Sequence, residues 1–377
     1  MDFSRRLALS ALAIFALFYA AICAVSLRFQ EDSLRKFEAG ELSAVSLLVH
    51  SSLARAGATA TAEAQMVARQ SAVVEAMAAK DKAALIRLLQ DSHAYLKSQT
   101  GVSVFGIQSA DLKTIVRLHD LGRDGEDVST SRPIVVTANR SRQDQTGIEI
   151  GSTGILALRG VVPVMKGSDL VGTAEIGFEL EPLLRSVKAA SGADIAVVLS
   201  SAMTGVSTGD NRTGGDLVLS DSTDSRLFEQ LIASSSLRLA REPLQVEATV
   251  DGEDYGISID PLQDYSGRMI GGVVGARSFS SVHRDAVRDG YFVLFLAFCG
   301  LVICYSVLVV AIRAFVMRPL AALNDYVDEL AKNNLDIETP APSGTREFAR
   351  LAKSVFGITD QHVEKERARK AGETSTT

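Results

Sequence analysis

The residues in this sequence with chemical potential are single charges set inside otherwise apolar, strand-like runs. Arg159 lies in ILALRGVVPV, Glu149 in GIEIG, Glu175 in TAEIG, and His119 closes TIVRLH. A buried charge must be paired and hydrogen-bonded, so Glu149 and Glu175 are the expected partners of Arg159. For Arg159 a structural salt bridge is favoured over pocket lining. The hairpin register decides whether Glu175 shares its face, because two- and three-residue turns give opposite answers. Arg132 directly precedes Pro133 at an expected helix start, where the helix dipole disfavours a cation. It calls for an anion, either Asp120, Asp124, Glu126 or Asp127 in the preceding loop or a bound carboxylate, and the two readings stand level.

His119 has no second His or Cys at ligand spacing, so no metal site is expected. It is assigned to hydrogen bonding in the loop, or to an anionic ligand below neutral pH. No Ser-His-Asp spacing, phosphate-cradling loop or paired-carboxylate signature occurs, and Gly271-Gly272-Val-Val-Gly275 reads as close sheet packing. No catalytic residue, no cofactor and no enzyme activity are expected. A net charge of -6 over 377 residues argues against nucleic acid as the partner.

The elements that must hold these residues follow from periodicity. Residues 28–100 are rich in helix formers and free of Pro, with Leu42, Val45, Leu48 and Val49 at helical steps. One long helix is the simplest account, with Asp81 available to cap a further one. From Gly101 the period changes to strands: 102–108, 114–119, TGIEIG, ILALRGVVPVM and 170–180, with a short helix after Pro133 and a hairpin turn at Lys166–Asp169. A second, weaker copy follows over 181–280. It has a linking helix, strand 193–200, a polar loop 201–225, a helix over 225–240, then strands VEATV, YGISID and 269–279. The fold class is α+β: a long helix carrying two α/β modules.

Two uncharged stretches, 7–27 behind Arg5-Arg6 and 291–312 ahead of Arg313 and Arg318, are long enough to cross a membrane as helices. The flanking arginines place both termini in the cytoplasm. All three cysteines lie in these spans, so the exported region must hold itself together without disulfides. After Arg318-Pro319, the apolar positions Leu320, Leu323, Val327 and Leu330 repeat the 3-4-3 spacing of Phe348, Leu351, Val355 and Ile358. Two helices this short need partners, which a homodimer supplies as a four-helix bundle.

This layout resembles a bacterial transmembrane chemoreceptor with a double Cache sensor and a HAMP relay, of the methyl-accepting type. Leu118-His119-Asp120, Asp127-Val-Ser129, Arg132-Pro133, Gly147-Ile-Glu149-Ile-Gly151, Leu158-Arg159-Gly160-Val-Val-Pro163 and Glu175-Ile-Gly177 are similar to the distal module of one Cache branch. Arg318-Pro319-Leu320 sits where the first HAMP helix has its proline. The resemblance implies a cytoplasmic N-terminus 1–6 and a first span 7–27. It then implies a periplasmic sensor 28–290, divided into helix 28–100, PAS-like distal module 101–180 and proximal module 181–280. A second span 291–312, HAMP 313–365 and a charged tail 366–377 complete it.

The implied protein is a two-pass receptor of the bacterial inner membrane. A small, carboxylate-like ligand would bind His119, Arg132, Glu149, Arg159 and Glu175. Arg318, Pro319, Leu320, Leu323, Val327, Phe348, Leu351 and Val355 would relay the signal. No methylated coiled coil, kinase or cyclase follows, so a separate cytoplasmic signalling protein is the expected partner. The aromatic-rich amino-acid signature of another Cache branch is absent, and there is no Trp, which argues against an amino-acid ligand. The rival reading is a membrane-anchored dimeric scaffold or ligand-presenting subunit.

Overall fold

The computed structural model describes residues 3–151, 156–204, 213–214 and 216–332, and in the C-terminal part 349–350, 352–357, 360–361 and 364–365. It divides into two compact units, Ser33–Arg284 and the pair of segments Met1–Asp32 with Asp285–Thr377.

Helix α1 (Phe3–Ala68) is followed by α2 (Ser71–Ala78) and α3 (Lys82–Thr100), so the single helix expected through residue 100 is broken twice. The second break has a local cause. The Asp81 carboxylate accepts the Ala84 N–H at 2.9 Å and starts α3 as its N-cap.

The first sheet holds β1 (Val102–Ser109), β2 (Thr114–Arg117), β3 (Gln145–Ile150), β4 (Leu156–Lys166) and β5 (Asp169–Glu179), in the order β2-β1-β5-β4-β3. Helix α4 (Pro133–Ser141) lies between β2 and β3 in sequence, and α5 (Leu180–Ser191) leads to the second sheet. That sheet holds β6 (Asp194–Ser200), the two-residue β7 (Thr213–Gly214), β8 (Leu217–Ser222), β9 (Leu244–Val250), β10 (Glu253–Gln263) and β11 (Met269–Ser278). Its order is β7-β8-β6-β11-β10-β9. Setting β7 aside, both modules share one topology, with α7 (Ser225–Ala233) in the place of α4 and a one-turn α6 (Ser201–Thr204) after β6. Strand β8 falls inside the stretch expected to be loop, because its Ser and Asp residues hide a strand pairing with β6. Helix α7 ends at Ala233, short of the expected residue 240.

One apolar core runs beneath both sheets. Val45, Val49, Ala56, Ala60 and Ala64 of α1 pack with Phe105, Ile107, Ile176 and Leu158 of the first sheet and Ile195, Val197 and Val273 of the second. The opposite faces differ. In the second module that face is filled by α7, with Phe228, Leu231 and Ile232 against Val198, Ile257, Ile259 and Val274. In the first it carries charges.

Which face those charges occupy is set by one extra residue. The β4–β5 hairpin has a two-residue turn, with Lys166 opposite Asp169 and Met165 opposite Leu170. Continued unchanged, that register would pair Arg159 with Ile176 and send Glu175 to the opposite side. A bulge at Val171 shifts it, so that Val164 faces Gly172, Arg159 faces Gly177 and Val161 faces Glu175. Glu175 therefore shares a face with Arg159. The bulge needs glycine: Gly172 has φ +152°, and an added Cβ would stand 2.0 Å from the Gln108 carbonyl oxygen.

In the other unit, Tyr19 of α1 meets Cys304 of α8 (Ser280–Ile312), Oη to Sγ 3.6 Å. Both helices contain an 18-residue stretch apolar enough to cross a membrane, and neither stretch is buried inside the protein. A π-helical turn (Arg313–Met317) precedes α9 (Arg318–Ala331), and the Arg318 N–H donates to the Arg313 carbonyl. Pro319 lacks an N–H and crowds the preceding turn, and a widened turn accommodates it. Along α9, Leu320 and Val327 of the expected apolar stripe are exposed and Leu323 is half-buried. Pro319 and Tyr326 are buried, the Tyr326 ring edge-on to Phe356 at 5.0 Å. Phe348 and Leu351 lie outside the described residues.

Within the unit Ser33–Arg284, His283 of α8 ties α1 to β10. Its Nε2 lies 2.6 Å from Glu38 Oε1 and its Nδ1 3.2 Å from Asp254 Oδ2. Burial works against the imidazolium, but the bonds to Asp254 and Glu38 outweigh it and raise its pKa above 6.5.

These contacts carry two testable consequences. Gly172→Ala lowers unfolding stability by about 3 kcal/mol or more, since the bulge must be abandoned. Gly167→Ala, at a turn with φ +62° and open space, costs about 1–2 kcal/mol; urea unfolding of the purified chain compares them. A raised folded-state pKa means that the His283 tie stabilises fully below its ordinary value and fades as pH rises through the raised one. The Tm difference between wild type and His283→Gln is thus largest below pH 6.5 and shrinks as pH rises through the raised value.

Candidate functional site

The charged face of the first sheet gathers residues from four strands and one helix start. Strand pairing puts Arg117 opposite Gly106, Gly106 opposite Glu175, and Gly147 opposite Arg159, so Arg117, Glu175, Arg159 and Glu149 all point the same way. Helix α4 crosses this face, and its N-cap is Arg132. Three of these charges are almost wholly enclosed: Glu175 is 1% exposed, Arg132 4% and Arg159 4%.

They neutralise one another. Arg132 Nε donates to Glu149 Oε2 at 2.5 Å, and Arg132 Nη2 donates to Glu175 Oε1. Arg159 Nη1 donates to the same Glu175 oxygen at 2.6 Å. The other oxygen, Glu175 Oε2, accepts from Gln108 Nε2 at 2.9 Å, and Gln108 is held in turn by the Thr173 hydroxyl at 2.8 Å. Glu149 Oε1 accepts the Ile134 N–H at 3.2 Å, so one carboxylate serves both the unpaired amides of a helix start and the guanidinium placed there. The anion that Arg132 requires is therefore Glu149 with Glu175, not a carboxylate of the preceding loop. Among those, Asp124 pairs with Lys82 at 2.7 Å, Asp127 accepts the Ser129 N–H at 2.9 Å, and Glu126 pairs with Arg117 and Arg123.

The protonation states follow. Burial pushes the Glu175 carboxyl up, but Arg132 and Arg159 outweigh it and hold it well below the usual carboxylate range. Burial alone would lower Arg132, and the two glutamates hold it above its ordinary value. Arg159 is pushed down by burial, Glu175 offsets part of this, and Arg132 adds to it. It stays charged at physiological pH.

Beside this network opens a cavity of about 550 Å³ lined by Arg117, His119, Arg132, Arg159 and Glu175, with Ser103 and Gly106 of β1 and Lys97, Arg123, Asp120 and Glu179 among its other residues. Two guanidinium atoms on its lining residues, Arg159 Nε and Arg117 Nη1, are buried and make no hydrogen bond. Buried donors are almost always satisfied, so each of these atoms has capacity for an acceptor that the chain itself does not supply.

His119 is held by the backbone of β1, its Nδ1 accepting the Phe105 N–H at 3.0 Å. Burial lowers its pKa, and of the two roles expected for it hydrogen bonding to the chain is the one seen, to β1 rather than to its own loop. Its Nδ1 also lies 3.2 Å from the Phe105 carbonyl oxygen, so the ring serves that peptide as acceptor or donor according to its tautomer. Of the five expected residues, Arg132, Glu149, Arg159 and Glu175 form the ion network. His119, Arg132, Arg159 and Glu175 line the cavity. Glu149 instead faces a smaller cavity of about 160 Å³ on the other side of the α4 start. Arg117 was missed, although it carries the same signal as Arg159, a lone charge between apolar neighbours in TIVRLH.

Among solved structures, the ligand-binding domain of the amino acid chemoreceptor PctC of Pseudomonas aeruginosa PAO1, in complex with GABA, is 16% identical, with a TM-score of 0.39 over 66% of this chain and 99% of that one. The sensor domain of the Vibrio cholerae histidine kinase DctB is 12% identical, with a TM-score of 0.42 over 66% and 98%. The sensory domain of the Campylobacter jejuni chemoreceptor Tlp3 is 9% identical, with a TM-score of 0.43 over 68% and 97%. No curated protein sequence matches. A family model described as the double sensory domain of two-component sensor kinases matches residues 39–282. This chain belongs to that family, the third double Cache family of sensory domains.

Proposed function

We propose that this protein is a two-pass receptor of the bacterial inner membrane that senses a small carboxylate in the cavity of its first module. The observation that carries the reading is the unbonded pair Arg159 Nε and Arg117 Nη1 beside a cavity of about 550 Å³. The buried carboxylate that lines it, Glu175, is already taken by guanidinium and amide donors, and Glu149 on the far side of Arg132 is likewise occupied. An incoming carboxylate finds unpaired donors and is spared repulsion by free buried anions. The second module has its corresponding face closed by apolar side chains, which favours the first module as the sensing one.

Binding acts only if it favours one arrangement of the protein over another. Strand β11 is followed within two residues by α8, whose apolar stretch is the covalent route to α9. Both termini lie in the cytoplasm, and α9 with the helix around Val355 forms a HAMP-like relay. Leu320 and Val327, exposed in the single chain, are covered in a homodimer, and a separate cytoplasmic protein receives the signal.

Calorimetry of the purified chain against acetate, lactate and succinate tests the site. Arg159→Lys keeps the charge beside Glu175 but removes Nε, and Arg117→Gln removes the second donor. Each is expected to weaken binding about ten- to hundredfold, the worth of a charge-assisted hydrogen bond. Absence of heat with every anion, or an affinity unmoved by both substitutions, overturns the reading. Glu175→Gln instead destabilises the fold by about 3–5 kcal/mol, because it leaves two buried guanidiniums without their shared anion; urea unfolding measures it.

A further inference from the structure

The tip of the β10–β11 hairpin belongs to the second module but makes its contacts on the first. Strand β3 is the edge of the first sheet, and Tyr265 meets it three ways. The Tyr265 N–H donates to the Ile148 carbonyl at 2.7 Å. Its hydroxyl donates to Gln145 Oε1 at 2.5 Å. Its side chain lies over Gly147, where an added Cβ would stand 2.8 Å from Tyr265 Cδ2 and 3.2 Å from Tyr265 Cβ. The ring also packs against the small apolar cluster under α4, which includes Val128, Ile134 and Val161. The next residue along β3 is Glu149, the carboxylate that holds both Arg132 and the start of α4.

The tip itself is braced. Asp264 accepts the Ser266 N–H at 2.9 Å, the Arg268 N–H at 3.0 Å and the Arg268 guanidinium at 2.9 Å, and its own N–H donates to the Arg268 carbonyl at 2.8 Å. A braced turn at the end of two long strands moves with those strands, not independently of them.

We propose that Tyr265 is a positioning residue for the ligand site, locking β3 and Glu149 to β11 so that the state of the first cavity and the state of β11 are one equilibrium. Displacing Glu149 or Arg132 shifts β3, and β3 cannot shift without carrying Tyr265. The strand that leaves Tyr265 is β11, which ends two residues before α8. The proposal gives the carboxylate reading a route between modules and rests on it for the identity of the input, but the coupling itself needs no ligand.

The test is a double-mutant cycle in the full-length purified chain, read by hydrogen exchange of peptides covering 269–284 in wild type, Glu149→Gln, Tyr265→Ala and the double variant. Glu149→Gln is expected to speed exchange there by about fivefold or more, the size of a useful coupling, and to have no effect when Tyr265 is Ala. Tyr265→Phe keeps the ring over Gly147 and restores most of the effect, which guards against a folding defect in the Ala variant; unchanged exchange over 194–200 checks that the second sheet is intact. An effect of Glu149→Gln that is the same size in both backgrounds, or absent in wild type, overturns the proposal. Adding succinate to the wild type is a separate arm: failure to protect 102–108 counts against the carboxylate site and leaves the coupling measured by the cycle untouched.

Discussion

Glu175 is a charged carboxylate in the interior of a sheet, and the first module is arranged around keeping it there. An isolated carboxylate in such a place would be protonated or expelled. Here Arg132 and Arg159 share one of its oxygens and Gln108 takes the other. Each of those groups comes from a different element: Arg132 from the cap of α4, Arg159 from β4, Gln108 from β1. The network therefore ties the helix above the sheet to three of its strands, and a change in any member is felt by the rest. Burying such a network costs much of what its ion pairs return.

The two modules show what that arrangement displaces. They share strand order and the position of the covering helix, and both pack one face on the same long helix α1. The second module closes its outer face with Phe228, Leu231 and Ile232, the ordinary solution for a sheet under a helix. The first module gives up most of that apolar contact and retains only a small cluster around Ile134 and Val161. The space freed is the cavity, lined by Arg117, Arg132 and Arg159. One topology thus yields a module packed on both faces and a module with a cavity, and side-chain chemistry makes the difference.

The modules are also joined. The shared core along α1 makes them one compact unit, and Tyr265 adds a polar and aromatic contact at the sheet edge beside Glu149. Farther along the chain His283 links α8 back to α1 and β10. Tyr265 sits in the turn that leads into β11, and His283 lies on α8 itself.

Much of this was legible in the sequence because it is local. Helix-forming runs, alternating strands, two uncharged spans and the pairing of modules all follow from periodicity and composition. So did the lone charges at Glu149, Arg159 and Glu175, since a charge in an apolar strand must find a partner. Arg117 obeys the same logic, a lone guanidinium within TIVRLH. What remained hidden is nonlocal. Strand β8 lay concealed in a polar stretch because pairing with β6, not its own composition, makes it a strand. The anions that satisfy Arg132 come from strands 17 and 43 residues away, not from the adjacent acidic loop. Above all, the extra residue at Val171 turns Glu175 toward Arg159. Side chains alternate with a period of two, so a one-residue shift exchanges the faces of a whole strand. The sequence determined which groups must be paired; only the folded sheet, through its bulge and its register, decided which groups could meet.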